Sequence, residues 1–354
     1  MKKTMVAAAA TILAGSAWAQ SAVTLYGVAD AGLEFVNRQA GNGDKVYRVQ
    51  SGGALTGSRW GLRGAEDLGN GLKGIFVLES GFGIDDGRAG DRLFGRQAYV
   101  GLETPQGTVT LGRQQTPMYD FALQYDPMAA ASSYSIYGMD SDFGSRADNA
   151  IKYRGQSGGL TVSGLYSFGY DGRSGVNGEV PGQWKVGREY ALGLNYAMGA
   201  FAVGAVFDQK NGDTVASRNS HDQRASIAGS YAFGPARVFG GYRWQHLGFT
   251  TAVGNGTAHL GWIGASYQLT PAASLSGAVY YQDNRGTSAD PWMLSAGGNY
   301  ALSKRTSLYL NMAYALNKTD RSRGYMSQVS VNGDGQVLAG DNQFGASIGM
   351  RHRF

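Results

Sequence analysis

The sequence predicts an all-β fold, a transmembrane barrel of sixteen antiparallel strands, and three observations carry that expectation. The first is the carboxy-terminus. Phe344, Ala346, Ile348, Met350 and Phe354 share one face of an alternating segment, with His352 its only polar member, while Gly345, Ser347, Gly349, Arg351 and Arg353 share the other. Such a segment suits a strand with one apolar and one wet face. At the very end of a chain its edge needs a partner; closure against the amino-terminal strand supplies one, and a sandwich sheet would supply another. The second observation is composition: 56 glycines in 354 residues, more than twice the usual ~7%, with 21 tyrosines and only seven prolines. That bias suits many strands with aromatic girdles and small wall residues, although a secreted sandwich shares it. The third, the parity of the connections, separates the two.

The chain opens with a leader. Lys2 and Lys3 precede a short apolar run that ends in Ala17-Trp18-Ala19, the form of a secretory signal with an Ala-x-Ala cleavage site. The run is shorter than the about 20 residues a spanning helix needs. Residues 1–19 are therefore read as a signal peptide and residues 20–354 as one barrel domain. No other long apolar stretch follows, so the remaining chain has no helix to cross a membrane. The absence of cysteine leaves an exported chain without disulfides, and stability must come from hydrogen-bonded architecture. The formal charge of +5 drops to +3 without Lys2 and Lys3, too small an excess for a nucleic-acid footprint.

Strand-like stretches then run near 22–36, 47–65, 71–83, 92–104, 107–113, 147–155, 159–169 and 187–198. They continue near 200–210, 222–233, 236–248, 257–269, 273–283, 291–302, 306–318 and 342–354, which makes sixteen. Leu308, Leu310, Met312, Tyr314 and Leu316 show the apolar face most plainly. Short connections at 66–71, 104–107, 156–159, 198–200, 233–235, 270–272 and 303–305 all fall between an even strand and the next odd one. The others are longer, and 114–146 is the longest. Short turns on one side, long loops on the other and an even strand number are the pattern of an outer-membrane barrel with periplasmic termini. A sandwich has no reason to keep that parity.

The segment Ser58–Glu79, reading SRWGLRGAEDLGNGLKGIFVLE, closely resembles the second and third strands of general diffusion porins of Gram-negative outer membranes. The nearest likeness is to the trimeric porins typical of β-proteobacteria. Ser21–Gly27, Arg96–Leu102, Arg146–Tyr153 and Gly349–Phe354 match as well, so the likeness covers essentially the whole mature chain in order. The resemblance implies a homotrimer of barrels in outer-membrane lipid, each with its own water-filled pore. It implies that the third loop folds into the pore and narrows it. An interface through the first strands, the last strand and the second loop near 81–91 follows from the same likeness. Phe354 resembles the signal read by the barrel-insertion machinery during assembly.

The residues point the same way on their own. Arg59 and Arg63 share a face with Gly61, opposite Trp60 and Leu62. An arginine facing lipid near the midplane would cost about 2–4 kcal/mol, so Arg59 is expected to face the lumen. Glu79 lies opposite Phe76 and Leu78 by parity. The long segment 114–146 mixes Asp120, Asp126, Asp140 and Asp142 with many aromatic and small residues, a content that disfavours free solvation. The family assigns constriction arginines to positions matching Arg59, Arg96 and Arg146, with Glu79 beside them on the wall. Opposed to Asp120 and Asp126 of the third loop, or to Asp140 or Asp142 instead, these would set a transverse field that orients solutes and selects ions. The alternative is that each charge is merely solvated.

The expected function is passive diffusion of small hydrophilic solutes and ions, with a weak anion preference from the wall arginines. The competing reading is a surface barrel that binds a partner through its outer loops; it would not require inward charges or an inserted loop. A barrel enzyme is not expected, because His221-Asp222 has no identifiable nucleophile or second acid beside it. No cofactor and no metal-site residues are expected: His221, His246, His259 and His352 are scattered; calcium held by loop carboxylates stays open, although no acidic spacing matches a calcium loop. Glu66–Gly71 reads as a tight turn rather than a carboxylate site.

Overall fold

The computed structural model describes residues 22–50, 55–129, 131, 133–171, 179–250 and 254–354. The leader read at 1–19 lies outside the described residues. Strands β1 (Ala22–Val36), β2 (Val46–Val49), β3 (Arg59–Gly69), β4 (Leu72–Gly81), β5 (Gln97–Thr104) and β6 (Gly107–Gln115) come first. After one helix, α1 (Pro117–Tyr125), follow β7 (Arg146–Ser157), β8 (Leu160–Ser167), β9 (Glu189–Met198), β10 (Phe201–Asn211), β11 (His221–Phe233) and β12 (Ala236–Leu247). The chain ends with β13 (Thr257–Gln268), β14 (Ala273–Asn284), β15 (Trp292–Ala301), β16 (Thr306–Leu316), the short pair β17 (Thr319–Asp320) and β18 (Tyr325–Met326), and β19 (Gln343–Arg353).

All but β17 and β18 join one antiparallel sheet that closes on itself through β1 and β19, in register from Val28↔Arg353 to Val36↔Gly345. The closing ladder ends in a pair of 3.1 Å bonds exchanged by the backbones of Gly27 and Phe354. β1 pairs with β3 along its first half and with β2 along its second. The pieces β2 and β3 are thus one stave, and the barrel has sixteen. The single strand expected at 47–65 is broken because Asp30 of β1 replaces ladder bonds with side-chain ones. Its carboxylate accepts from Thr56 N at 2.9 Å, and Ser58 Oγ bonds both its amide and its carbonyl at 3.0 Å. β5 begins at Gln97 rather than at 92, since Arg92 turns to Asp148 at 2.6 Å and Asp171 at 3.3 Å instead of joining the ladder.

Period-2 alternation sets the two faces of the wall. In β16, Leu308, Leu310, Met312 and Tyr314 are exposed, while Ser307, Tyr309, Asn311, Ala313 and Ala315 are buried. The apolar residues point outward and the small or polar ones inward, the inverse of a water-soluble barrel and the arrangement that hydrocarbon outside requires. The connection expected at 114–146 carries α1, which the sequence reading did not place. Thr116 accepts from Tyr119 N at 3.3 Å as the N-cap and Pro117 occupies the first helical position, where its missing N–H costs nothing. Two 3₁₀ turns, Ile136–Gly138 and Ser141–Gly144, complete the segment.

Replacing outward-facing Leu310 by arginine is expected to lower barrel stability in lipid vesicles by about 2–4 kcal/mol, read by denaturant titration. Unchanged stability would mean that this face does not meet hydrocarbon.

Candidate functional site

The segment between β6 and β7 packs on one side of the wall. Met118, Phe121, Tyr125, Tyr134, Ile136 and Phe143 join Val206, Leu260, Trp262, Tyr280 and Met293 in one buried cluster. Trp262 Nε1 donates to Tyr125 O at 3.0 Å, Tyr125 bonds Asn195, and Tyr134 OH donates to Glu34 at 2.7 Å. All these wall residues alternate with the apolar outward ones. Gly193, Gly204 and Gly264 leave room for Pro117, Tyr125 and Pro127; a Cβ at Gly264 would stand 2.6 Å from the Pro127 ring.

Arg59, Glu79 and Arg96 meet at the rim of this segment. In the β3–β4 register Glu79 lies opposite Gly61, two residues from Arg59, and Arg96 N donates to Glu79 O at 3.2 Å. Glu79 is buried. Its Oε1 accepts from Arg96 Nε at 2.7 Å, and its Oε2 accepts from Tyr26 OH at 3.0 Å and lies 3.5 Å from Arg59 Nε. The carboxylate thus grips both guanidinium groups by their Nε edges. Arg59 Nη1 donates to Thr56 Oγ1 and Gly57 O at 3.0 Å, whereas the terminal nitrogens of Arg96 have no hydrogen-bond partner among the described residues. Arg146 starts β7 with its guanidinium 5.3 Å from the centre of the Tyr119 ring, within cation–π range.

A cavity of about 370 Å³ is lined by Arg59, Glu79, Arg96, Gln97, Gln115 and Tyr119, and also by Arg351 and Arg353. The last two were read only as the wet face of β19. Their signal was present in that parity: an arginine on the face opposite Met350 and Ile348 has to point inward, and closure sets β19 one strand from β3, across β1.

The acids are placed differently. Asp120 pairs with Lys152 at 2.6 Å, beside a second polar cavity of about 490 Å³ that Tyr99, Gln114, Gln124 and Arg154 also line. Asp126 is buried, accepting from Tyr280 OH at 2.6 Å and from Met128 N at 3.2 Å, so it shapes the segment's own fold. Asp140 pairs with Arg243 and, at 3.4 Å, with Arg224; Asp142 pairs with Lys210 at 2.7 Å and with Arg224. Burial opposes the charge on Asp142, but Lys210 and Arg224 outweigh it and hold the carboxyl below the ordinary aspartate range. Its contribution to stability is therefore complete above the ordinary aspartate value and is lost only as pH falls below it. Phe354 lies at the seam, its ring where a Cβ on Gly27 would fall.

Arg243→Met would leave Asp140 without its closest cation. The expected loss of stability is about 3–5 kcal/mol, measured by denaturant titration at neutral pH.

The profile of the Gram-negative porin family matches residues 4–320. Outer membrane porin protein 32 of Delftia acidovorans is 31% identical over 376 residues, spanning 100% of both chains. An outer membrane porin of Bordetella pertussis is also 31% identical, over 409 residues and 100% of both. Among solved structures, the anion-selective porin from Comamonas acidovorans superposes with a TM-score of 0.78 at 28% identity, covering 95% of this chain and all of that one. The trimer form of OmpT from Vibrio cholerae shares the fold, with a TM-score of 0.66 at 20% identity over 94% of this chain and 99% of that one.

Proposed function

This chain belongs to the Gram-negative porin family and forms a channel of the outer membrane, and on that premise we propose that it conducts small hydrophilic anions in preference to cations, passively, along the arginine-lined cavity. The observation that carries the reading is the charge of that cavity: Arg59, Arg96, Arg351 and Arg353 against Glu79 alone, both of whose oxygens are engaged. Guanidinium stays protonated at any relevant pH, so this field is fixed. Positive charge lining a pore favours anions. The likeness to an anion-selective porin supports the same sign.

The segment 114–146 serves in this reading as the constriction. Its partners on the inward face of the wall support that role, and its aspartates are largely spent on Lys152, Lys210, Arg224 and Arg243. Arg146 adds a further positive group near Tyr119, and Asp120, paired with Lys152, places the segment's acid in the second polar cavity. Asp126 is assigned to holding the segment's shape. The working unit is a homotrimer, a state recorded for a protein of the same fold. Opening a channel needs no catalytic group, and no cofactor takes part. The competing adhesin reading would leave the inward arginines and the packed segment without a purpose.

The test is the zero-current potential of refolded protein in a planar bilayer under a salt gradient. Steps in multiples of three with an anion-favouring potential are expected; a cation-favouring potential would mean that the segment's carboxylates dominate. Arg59→Ala and Arg351→Ala should each reduce the anion preference, with a larger effect when combined. Removing Phe354, proposed as the mark read by the insertion machinery, should reduce the surface trimer while refolded protein still conducts; normal surface yield would end that role.

A further inference from the structure

A second charged group lies on the other side of the molecule, where β9, β10, β11 and β12 meet the Ser141–Gly144 turn. Asp140, Asp142, Glu189, Asp208 and Asp222 stand there among Lys210, Arg224 and Arg243, leaving an excess of two negative charges. Most of these charges are answered. Asp140 and Asp142 take the three cations, and Asp222 accepts from the backbone amides of Gly248 at 2.8 Å and Phe249 at 3.1 Å. Arg188, beside Glu189 in sequence, stacks on Trp184 at 4.3 Å rather than pairing here.

Glu189 and Asp208 are the exceptions. Their residues are 0% and 1% exposed, and all four of their carboxylate oxygens are buried without a hydrogen-bond partner. Neither forms an ion pair among the described residues. Glu189 is in register with Lys210 and Asp208 with Ala191, so the two carboxylates are diagonal neighbours on one face of adjacent strands. The two cations in register with the pair are engaged elsewhere: Lys210, opposite Glu189, bonds Asp142 at 2.7 Å and lies 5.4 Å over the Tyr170 ring, and Arg224, opposite Asp208, pairs with Asp140 and Asp142. Two adjacent buried carboxylates whose neighbouring cations are bonded to other acids are costly unless a further cation or a proton compensates them.

We propose that Glu189 and Asp208 bind one divalent cation of the calcium type. Four unpartnered oxygens suit a hard cation that takes six to eight oxygen ligands with tolerant geometry, and its two charges cancel the excess. No third carboxylate or histidine converges on the pair among the described residues, so water completes the coordination. With two protein carboxylates the affinity falls in the weak range of extracellular calcium sites, a Kd of about 10⁻⁴–10⁻³ M. Bound there, the ion would neutralise the region that anchors Asp142, and with it the turn 141–144, to the wall. The sequence leaves calcium open only at loop carboxylates, because loop spacing carries no sign of a pair made by strand register.

The test is calcium titration of the full chain, refolded in detergent and freed of metal by chelation, followed by calorimetry and by the temperature at which the barrel unfolds. One ion per chain is expected, with a higher unfolding temperature in calcium than in chelator. Glu189→Gln and Asp208→Asn should each weaken binding at least tenfold, yet unfold in chelator no lower than the unmodified protein, since repulsion is relieved. Either variant binding calcium as the unmodified protein does would overturn the site. So would an unmodified protein indifferent to calcium but stabilised by mild acid, which would mean that the pair shares a proton instead.

Discussion

Closure of the sheet is the constraint on which the rest depends. In hydrocarbon no water can satisfy a free N–H or carbonyl, so a spanning sheet must have no edge. β1 and β19, separated by nearly the whole chain, supply each other's partners from Val28↔Arg353 to Val36↔Gly345, and the Gly27–Phe354 exchange completes the seam. Once the sheet is closed, parity decides everything about the wall: each residue either meets lipid or faces the bore. The same closure sets Arg351 and Arg353 next to Arg59, which no local feature of β19 could do.

A closed wall leaves its inward polar groups to be balanced within, and this chain divides that work between two sides. The aspartates of the Asp140–Asp142 turn are bound to Lys210, Arg224 and Arg243, cations from the far wall. That arrangement holds the segment 114–146 against the wall and, at the same time, takes its acids away from Arg59 and Arg96. Anchoring and selectivity are therefore linked in the proposed path: a segment held by its carboxylates has few left to attract cations. Because the anchoring pairs are largely buried, their worth is in fixing position more than in net stability, while breaking one strands the other charge.

Most of the architecture was legible in the sequence because a barrel is written in period 2. All sixteen staves were placed, since apolar alternation and turn residues are local signals. The break between β2 and β3 was not, because it depends on Asp30, a residue of another strand, accepting from Thr56. α1 went unplaced although Thr116-Pro117 is a start signal, masked by the irregular aromatic content that follows. Of the site, Arg59, Glu79 and Arg96 come together through strand register. The roles of Asp126 and Asp140 depend on tertiary partners, Tyr280 and Arg243, that lie more than a hundred residues away and leave no trace nearby.

Glu79 shows why the proposed arginine-rich passage should contain a carboxylate at all. Arg59 and Arg96 repel each other, and without a common partner their long side chains would spread along the wall and blur the field. A buried carboxylate between them removes that repulsion at modest cost in net charge, because it engages Nε and leaves the outer nitrogens of Arg96 toward the cavity. Tyr26 completes its shell from behind, and Gly61 admits the Tyr26 ring that carries this hydroxyl. Donors fixed in this way lose little freedom when an anion passes, which lowers the barrier without creating a deep trap. A channel needs that balance, since a site that binds tightly would slow the flux it is meant to carry.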